Sequence, residues 1–147
     1  MSVYYLSLGS NIQPEKNVPA CLELLKSELA VQAISTVYET EPVGPAGRQK
    51  FWNAAVAVQS ALTREKLSQH LRTIEARLGR TRSAADRFAP RTIDIDLLPQ
   101  PGYQKLAFIM IPLSEIAPKE RDPETGKCFV ELAEGLSRQG LQKINSF

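Results

Sequence analysis

Two carboxylates separated by a single residue, Asp94 and Asp96 in the run TIDIDLL (92–98), are the side chains best suited to chemistry in this chain. In an extended strand, residues two apart share a face and lie roughly 6.5–7 Å apart. Ile93, Ile95 and Leu97 would then turn to the opposite side and enter a core. Like charges aimed at one spot repel unless a cation sits between them, and hard divalent ions such as Mg²⁺ take carboxylate and phosphate oxygens together. A half-exposed strand with a polar outer face would carry the same letters, so the pair gains meaning from its neighbours. Arg77, Arg80, Arg82, Arg87 and Arg91 precede it, with Asp86 the one acid in that stretch. The segment therefore carries +4 in a chain whose net charge is only +2. Guanidinium forks match phosphate oxygens and stay charged, so arginines beside an aspartate pair resemble a clamp for a polyphosphate. The plainer alternative is a solvated basic loop paired with Glu75, Asp86 and the two aspartates, in which Arg77 simply faces water from a helix.

A second group is apolar and amide-bearing. The loop YETEPVG (38–44) and the run Phe51-Trp52-Asn53 combine aromatic surface with a side chain that both donates and accepts. An amide suits the edge of a flat heterocycle and a phenyl ring suits its face. Taken singly, each residue is equally at home in core packing or a turn. Neither GxxxxGK[ST] nor GxGxxG occurs, which removes the P-loop and the simplest dinucleotide fingerprint. His70 flanks an apolar stripe and reads as exposed filler, and Ser10 lacks a histidine and acid to activate it. Cys21 and Cys128 form no CxxC or Cys/His cluster and are expected to be free thiols. The positive charge is local rather than spread, which suits a small anionic ligand better than a nucleic acid, and the RNP1 pattern is absent.

These residues need elements to position them. Residues 3–8 (VYYLSL) read as strand 1, and Val18, Leu22, Leu25 and Leu29 mark helix 1, whose start Pro14 and Pro19 leave open. Residues 33–38 read as strand 2 and 52–60 as strand 3, joined by a long Pro/Gly-rich loop. Thr63 is a plausible N-cap for helix 2, Leu67, Leu71, Ile74 and Leu78 its stripe, and Gly79 its C-terminal stop. Residues 92–98 read as strand 4, 106–111 (LAFIMI) as strand 5 and 114–117 as a short helix, while the tail, broken by Gly135 and Gly140, stays undecided. The leading order βαββαβ is that of a ferredoxin-like α+β sandwich with an added C-terminal segment. With 147 residues and 43% hydrophobic residues, the chain has material for one domain spanning 1–147 and one core. No apolar run approaches the ~18 residues of a membrane span. The N-terminus lacks a basic region and a cleavage site, so a cytoplasmic protein is expected.

In order along the chain, LSLGSN (6–11), YETEPVG (38–44), FWNAAVAV (51–58), IEARLGRTR (74–82), RFAPRTIDIDLL (87–98) and IPLSEIAP (111–118) resemble the 6-hydroxymethyl-7,8-dihydropterin pyrophosphokinase family of folate biosynthesis. The resemblance implies transfer of pyrophosphate from ATP to the pterin hydroxymethyl group, leaving AMP. A monomer, or else a dimer, without nucleic-acid or membrane partners is expected. The resemblance also implies two Mg²⁺ ions at Asp94 and Asp96. Arg80, Arg82 and Arg91 would be catalytic, and Glu75, Arg80, Arg82, Arg87, Arg91 and Lys105 would serve the nucleotide. Thr40, Val43, Phe51, Asn53 and Phe108 would form the pterin pocket, with the ring between Phe51 and Phe108. The chain departs from the family after DIDLL. Residues 99–107 (PQPGYQKLA) are short and hold neither the usual histidine nor the usual arginine, Phe88 replaces a common tryptophan, and Ala89 a usual glycine. A pterin- and nucleotide-binding paralogue with weak or no kinase activity is the alternative these departures leave.

Overall fold

A computed structural model describes residues 1–40, 51–79 and 92–144. The first strand, β1 (Ser2–Ser10), alternates as its sequence demands, with Leu6 and Leu8 fully buried on one side. α1 (Pro14–Glu28) begins at Pro14, where a missing N–H costs nothing, and follows Gln13 in left-handed backbone. Pro19 is thus an interior residue of the helix. Strand 2 of the sequence reading is broken into β2 (Ala30–Ile34) and β3 (Val37–Thr40). Both halves pair with β4 (Phe51–Ser60), and at the break the Ser35 hydroxyl accepts the Ala55 N–H at 2.8 Å, restoring a ladder bond.

α2 (Arg64–Arg77) carries the expected cap, the Thr63 hydroxyl accepting from the Lys66 N–H at 3.2 Å. Gly79, at φ 88°, takes the left-handed conformation that ends it. β5 (Asp94–Leu97) then joins the open edge of β1. The antiparallel sheet runs β5–β1–β4–β3, the strand order of a ferredoxin-like sandwich, and β6 (Gln142–Ile144) extends it beyond β3. α1 and α2 cover one face through Leu22, Leu25, Leu67, Leu71 and Ile74 against Leu6, Val56, Ile95 and Leu97.

The strand expected at 106–111 is instead helical. After a single 3₁₀ turn (Tyr103–Lys105), Ala107–Ile116 forms α3, absorbing the short helix expected at 114–117. Ile109, Met110, Ile111, Pro112 and Leu113 are all buried. Unbroken burial erases helical periodicity, and Pro112 removes an interior N–H, which explains why the run read as a strand. α3 and α4 (Phe129–Glu134) pack on the second sheet face around Tyr38, Ala55 and Tyr103. No described helix is long and apolar enough to cross a membrane.

Asp122 fixes the turn between these helices and is fully buried. Its carboxylate accepts from the Tyr103 hydroxyl at 2.6 Å, the Thr125 N–H at 2.7 Å and the Gln104 amide at 3.2 Å. Burial pushes its pKa up, but these donors outweigh it and hold the carboxyl below its ordinary value. A depressed folded pKa adds stability that is complete above the unfolded value of about 3.9 and is lost as pH falls through the folded value. Asp122→Ala should therefore cost about 3 kcal/mol at pH 7. Its penalty in urea melts should shrink below pH 4, and a penalty independent of pH would contradict this.

Candidate functional site

The register of three strands assembles the site. Gly9 of β1 pairs with Asn53 of β4 on one side and with Asp94 of β5 on the other. Paired residues share a face, and so do residues two apart along a strand. Asp94, Asp96, Gly9, Asn53, Phe51 and Thr40 therefore lie on one side of the sheet, with Ser7 opposite Asp96 and Phe51 opposite Thr40. Two inter-strand steps place Asn53 about 10 Å from Asp94 across the strands. Ile95 and Leu97, each only 4% exposed, turn into the helix-covered core, as expected.

At the inner end, Asn53 is almost fully buried and donates its side-chain N–H to the Thr40 hydroxyl at 2.9 Å. That bond fixes the amide orientation and leaves its second N–H available for a ligand. A Cβ on Gly9 would stand 3.3 Å from Asn53 Oδ1 and 3.9 Å from the Phe51 ring. Glycine here keeps the floor flat between them. Phe51 is half-buried. Phe108 is half-buried too, near the start of α3 rather than on a strand, and packs with the cluster containing Tyr38 and Ala55.

At the outer end, Ser10 ties β1 to the approach of β5, its hydroxyl donating to the Thr92 carbonyl at 2.6 Å. Glu75, on the last turn of α2, is 1% exposed, and its carboxylate accepts the Ile95 N–H at 2.6 Å. Arg64, at the start of α2, donates to the carbonyls of Leu97, Leu98 and Pro99 at 2.7–2.9 Å. Between α2 and the end of β5 lies a cavity of about 480 Å³ whose lining includes Arg64, Glu65, Gln69, Arg72, Leu97 and Gln100. The sequence reading missed Arg64, Gln69 and Arg72. The available signal was their common spacing on the outer face of helix 2, which looks like an ordinary solvated face.

Among the described residues no group of three or more histidine, cysteine, aspartate or glutamate side chains converges as a metal cage. Two carboxylates on one face still fit a hard cation, which would complete its shell with phosphate oxygens and water. Lys105 is exposed at the end of the 3₁₀ turn. Val43, Arg80, Arg82, Arg87 and Arg91 lie outside the described residues. Arg77 instead bonds Glu28, whose other oxygen is 3.1 Å from His70 Nε2, so both of these side chains tie α2 to the end of α1.

Fold and site together define an α+β protein whose sheet sets the Asp94–Asp96 pair on the same face as Asn53, Phe51 and Thr40. Residues 5–118 match the family described as 7,8-dihydro-6-hydroxymethylpterin-pyrophosphokinase. Relatives bearing the name 2-amino-4-hydroxy-6-hydroxymethyldihydropteridine pyrophosphokinase include one from Pseudomonas aeruginosa, 31% identical over 95% of each chain. Others are from Bacillus subtilis, 34% identical over 78% of each chain, and Methylorubrum extorquens, 37% identical over 80% of this chain and 84% of that one. This chain belongs to that pyrophosphokinase family.

Cys21 is buried on α1 and Cys128 is partly exposed, and both are free. Burial first, and the Glu75 carboxylate second, push the Cys21 thiol up to about 12. A thiol reagent at pH 8 should therefore titrate Cys128 alone in the native protein, with Cys21 following only on unfolding. Immediate reaction of both thiols would contradict the burial.

Proposed function

We propose that this chain transfers the β,γ-pyrophosphoryl group of ATP to the hydroxymethyl oxygen of 6-hydroxymethyl-7,8-dihydropterin, releasing AMP and the hydroxyl proton. The observation that carries the reading is the shared sheet face, which sets the aspartate pair two strands from the Asn53 amide. The pterin would present its polar edge to Asn53 and Thr40, lie against the flat floor at Gly9, and stack between Phe51 and Phe108, with Val43 completing the pocket. Its hydroxymethyl arm would then extend toward β5. The cavity beside Leu97 would take the nucleoside, so that the triphosphate passes along the β5 edge between the two ligands.

Asp94 and Asp96 would hold two Mg²⁺ ions, which when bound supply positive charge to the phosphate oxygens. Arg80, Arg82, Arg87 and Arg91, with Lys105, would add further charge and align the chain, Arg80, Arg82 and Arg91 acting at the transferred group. The described side chains include no evident strong base beside the pterin arm. Alignment and charge neutralisation can supply most of the acceleration in phosphoryl transfer, where little covalent work falls to the protein. A binding relative with weak transfer draws support from one feature. Lys105, the one cation in 99–107, is a point charge on an exposed turn rather than a fork.

AMP release from ATP by the purified chain, with and without the hydroxymethyldihydropterin, separates the two readings. Pterin-dependent AMP is expected, and binding of both ligands without AMP would establish the weaker one. Asp94→Ala and Asp96→Ala should each lower turnover about a hundredfold or more, while moving the thermal midpoint by only about 2 °C. Near-normal turnover in either variant would remove the metal assignment. Gly9→Ala should raise the pterin KM about tenfold with kcat little changed, because the added methyl disturbs ground and transition states alike. An unchanged KM would place the pterin elsewhere.

A further inference from the structure

Among the described residues β5 is the edge strand of the sheet, with β1 on one side and no described strand on the other. The Leu98 N–H donates to the Tyr5 carbonyl of β1 at 2.9 Å, so the N–H groups of Asp96 and Asp94 also turn toward β1 and those of Leu97 and Ile95 turn outward. An outward backbone group that is buried must find a partner or cost free energy. Here α2 supplies them from side chains. Glu75 accepts the Ile95 N–H at 2.6 Å, and Arg64 donates to the Leu97 carbonyl at 2.9 Å. Ile95 is the residue between the two aspartates and Leu97 is the one that follows them.

We propose that Glu75 and Arg64 are positioning residues that replace the missing neighbour strand and set the spacing and direction of the Asp94–Asp96 pair for its divalent cations. The inference rests on the proposed metal role of that pair. Glu75 works from the helix side of the sheet, where it is buried beside Cys21, and the aspartates point to the other side. Its 2.6 Å bond to the backbone is charge-assisted and short, so it fixes the pleat rather than a mobile side chain. Displacing the Ile95 amide by a few tenths of an ångström moves both carboxylates together. Arg64 holds the other end of the strand by three carbonyls at once. It does so from the first residue of α2, where a cation opposes the helix dipole, so the clamp outweighs a local penalty.

The test is Mn²⁺ binding followed by electron paramagnetic resonance, with a non-hydrolysable ATP analogue at saturation, for wild type, Glu75→Ala, Glu75→Gln and Arg64→Ala. Glu75→Ala should weaken Mn²⁺ about tenfold, the lower range for loss of an outer-shell support. Glu75→Gln keeps an oxygen acceptor and should stay within about threefold of wild type, as should Arg64→Ala, which still loses measurable affinity. The Ile95 amide proton, read by ¹H–¹⁵N NMR without metal, should move upfield and exchange faster in Glu75→Ala and recover most of its position in Glu75→Gln. Lower thermal stability with unchanged Mn²⁺ affinity in Glu75→Ala would overturn the positioning role, as would equal damage from Gln and Ala. Absence of Mn²⁺ binding in the wild type would instead overturn the metal assignment on which the inference rests. If Glu75→Ala fails to fold, Arg64→Ala decides, and a wild-type Mn²⁺ affinity in that variant would overturn the proposal.

Discussion

Everything at the site depends on β1 keeping one register with both of its neighbours. Leu6, Ser7, Leu8 and Gly9 belong to both ladders, and Gly9 lies opposite Asn53 in one and opposite Asp94 in the other. Because side chains alternate with a period of two, a slip of one residue in β5 would drive both aspartates into the helix-covered core and turn Ile95 and Leu97 outward. The cost of burying two carboxylates there makes that slip prohibitive, so the hydrophobic pattern and the functional pattern enforce the same pairing. The ends of the strand reinforce it. Ser10 holds the backbone at Thr92, and the Leu98 N–H reaches back to Tyr5.

The second face of the sheet is divided between packing and function. Around Tyr5 and Tyr38 it is closed by α3 and α4, with Phe129 meeting the edges of Tyr5 and Tyr103 at 5.8 and 6.4 Å between ring centroids. Polar ties run through this layer. Glu115 of α3 accepts the Thr36 N–H at 2.9 Å and bonds the Tyr38 hydroxyl, so the helix is anchored at the break between β2 and β3. That anchorage matters for Phe108, two turns back toward the start of the same helix. The position of an aromatic on α3 is then governed by the sheet strand that also carries Thr40.

Where local signals agreed with tertiary context, the sequence was readable. Thr63 and Gly79 bounded α2 as their chemistry requires, and the alternation in TIDIDLL told which side each residue would take. The family resemblance rested on short strings in order, and the matched span of residues 5–118 contains all of them. Three features were not legible. The break at Ser35 depends on a hydroxyl taking a ladder position, which no propensity scale encodes. Residues 109–113, which overlap the run expected as a strand, are buried on all sides as a helix, so neither a period of two nor of 3.6 survives in their letters. Glu75 stood out as a candidate beside the nucleotide. Its bond to the Ile95 backbone, twenty residues on in the sequence, requires the packed α2–β5 interface and cannot be read from spacing.

The shortened connection after β5 gives Arg64 its significance. The chain leaves the strand at Leu98, makes one 3₁₀ turn, and enters α3 at Ala107. Among the described residues the carbonyls of Leu97, Leu98 and Pro99 meet no neighbouring strand on this side, and one planar guanidinium accommodates all three. A lysine could not do the same, since its compact ammonium lacks the fork geometry that spans several acceptors. The same guanidinium forms part of the wall of the cavity beside Leu97. The strand end and the wall of that cavity therefore share one cation. Support for the end of β5 comes from α2 and not from the side chains that 99–107 contributes, so a short connection can leave the strand in place.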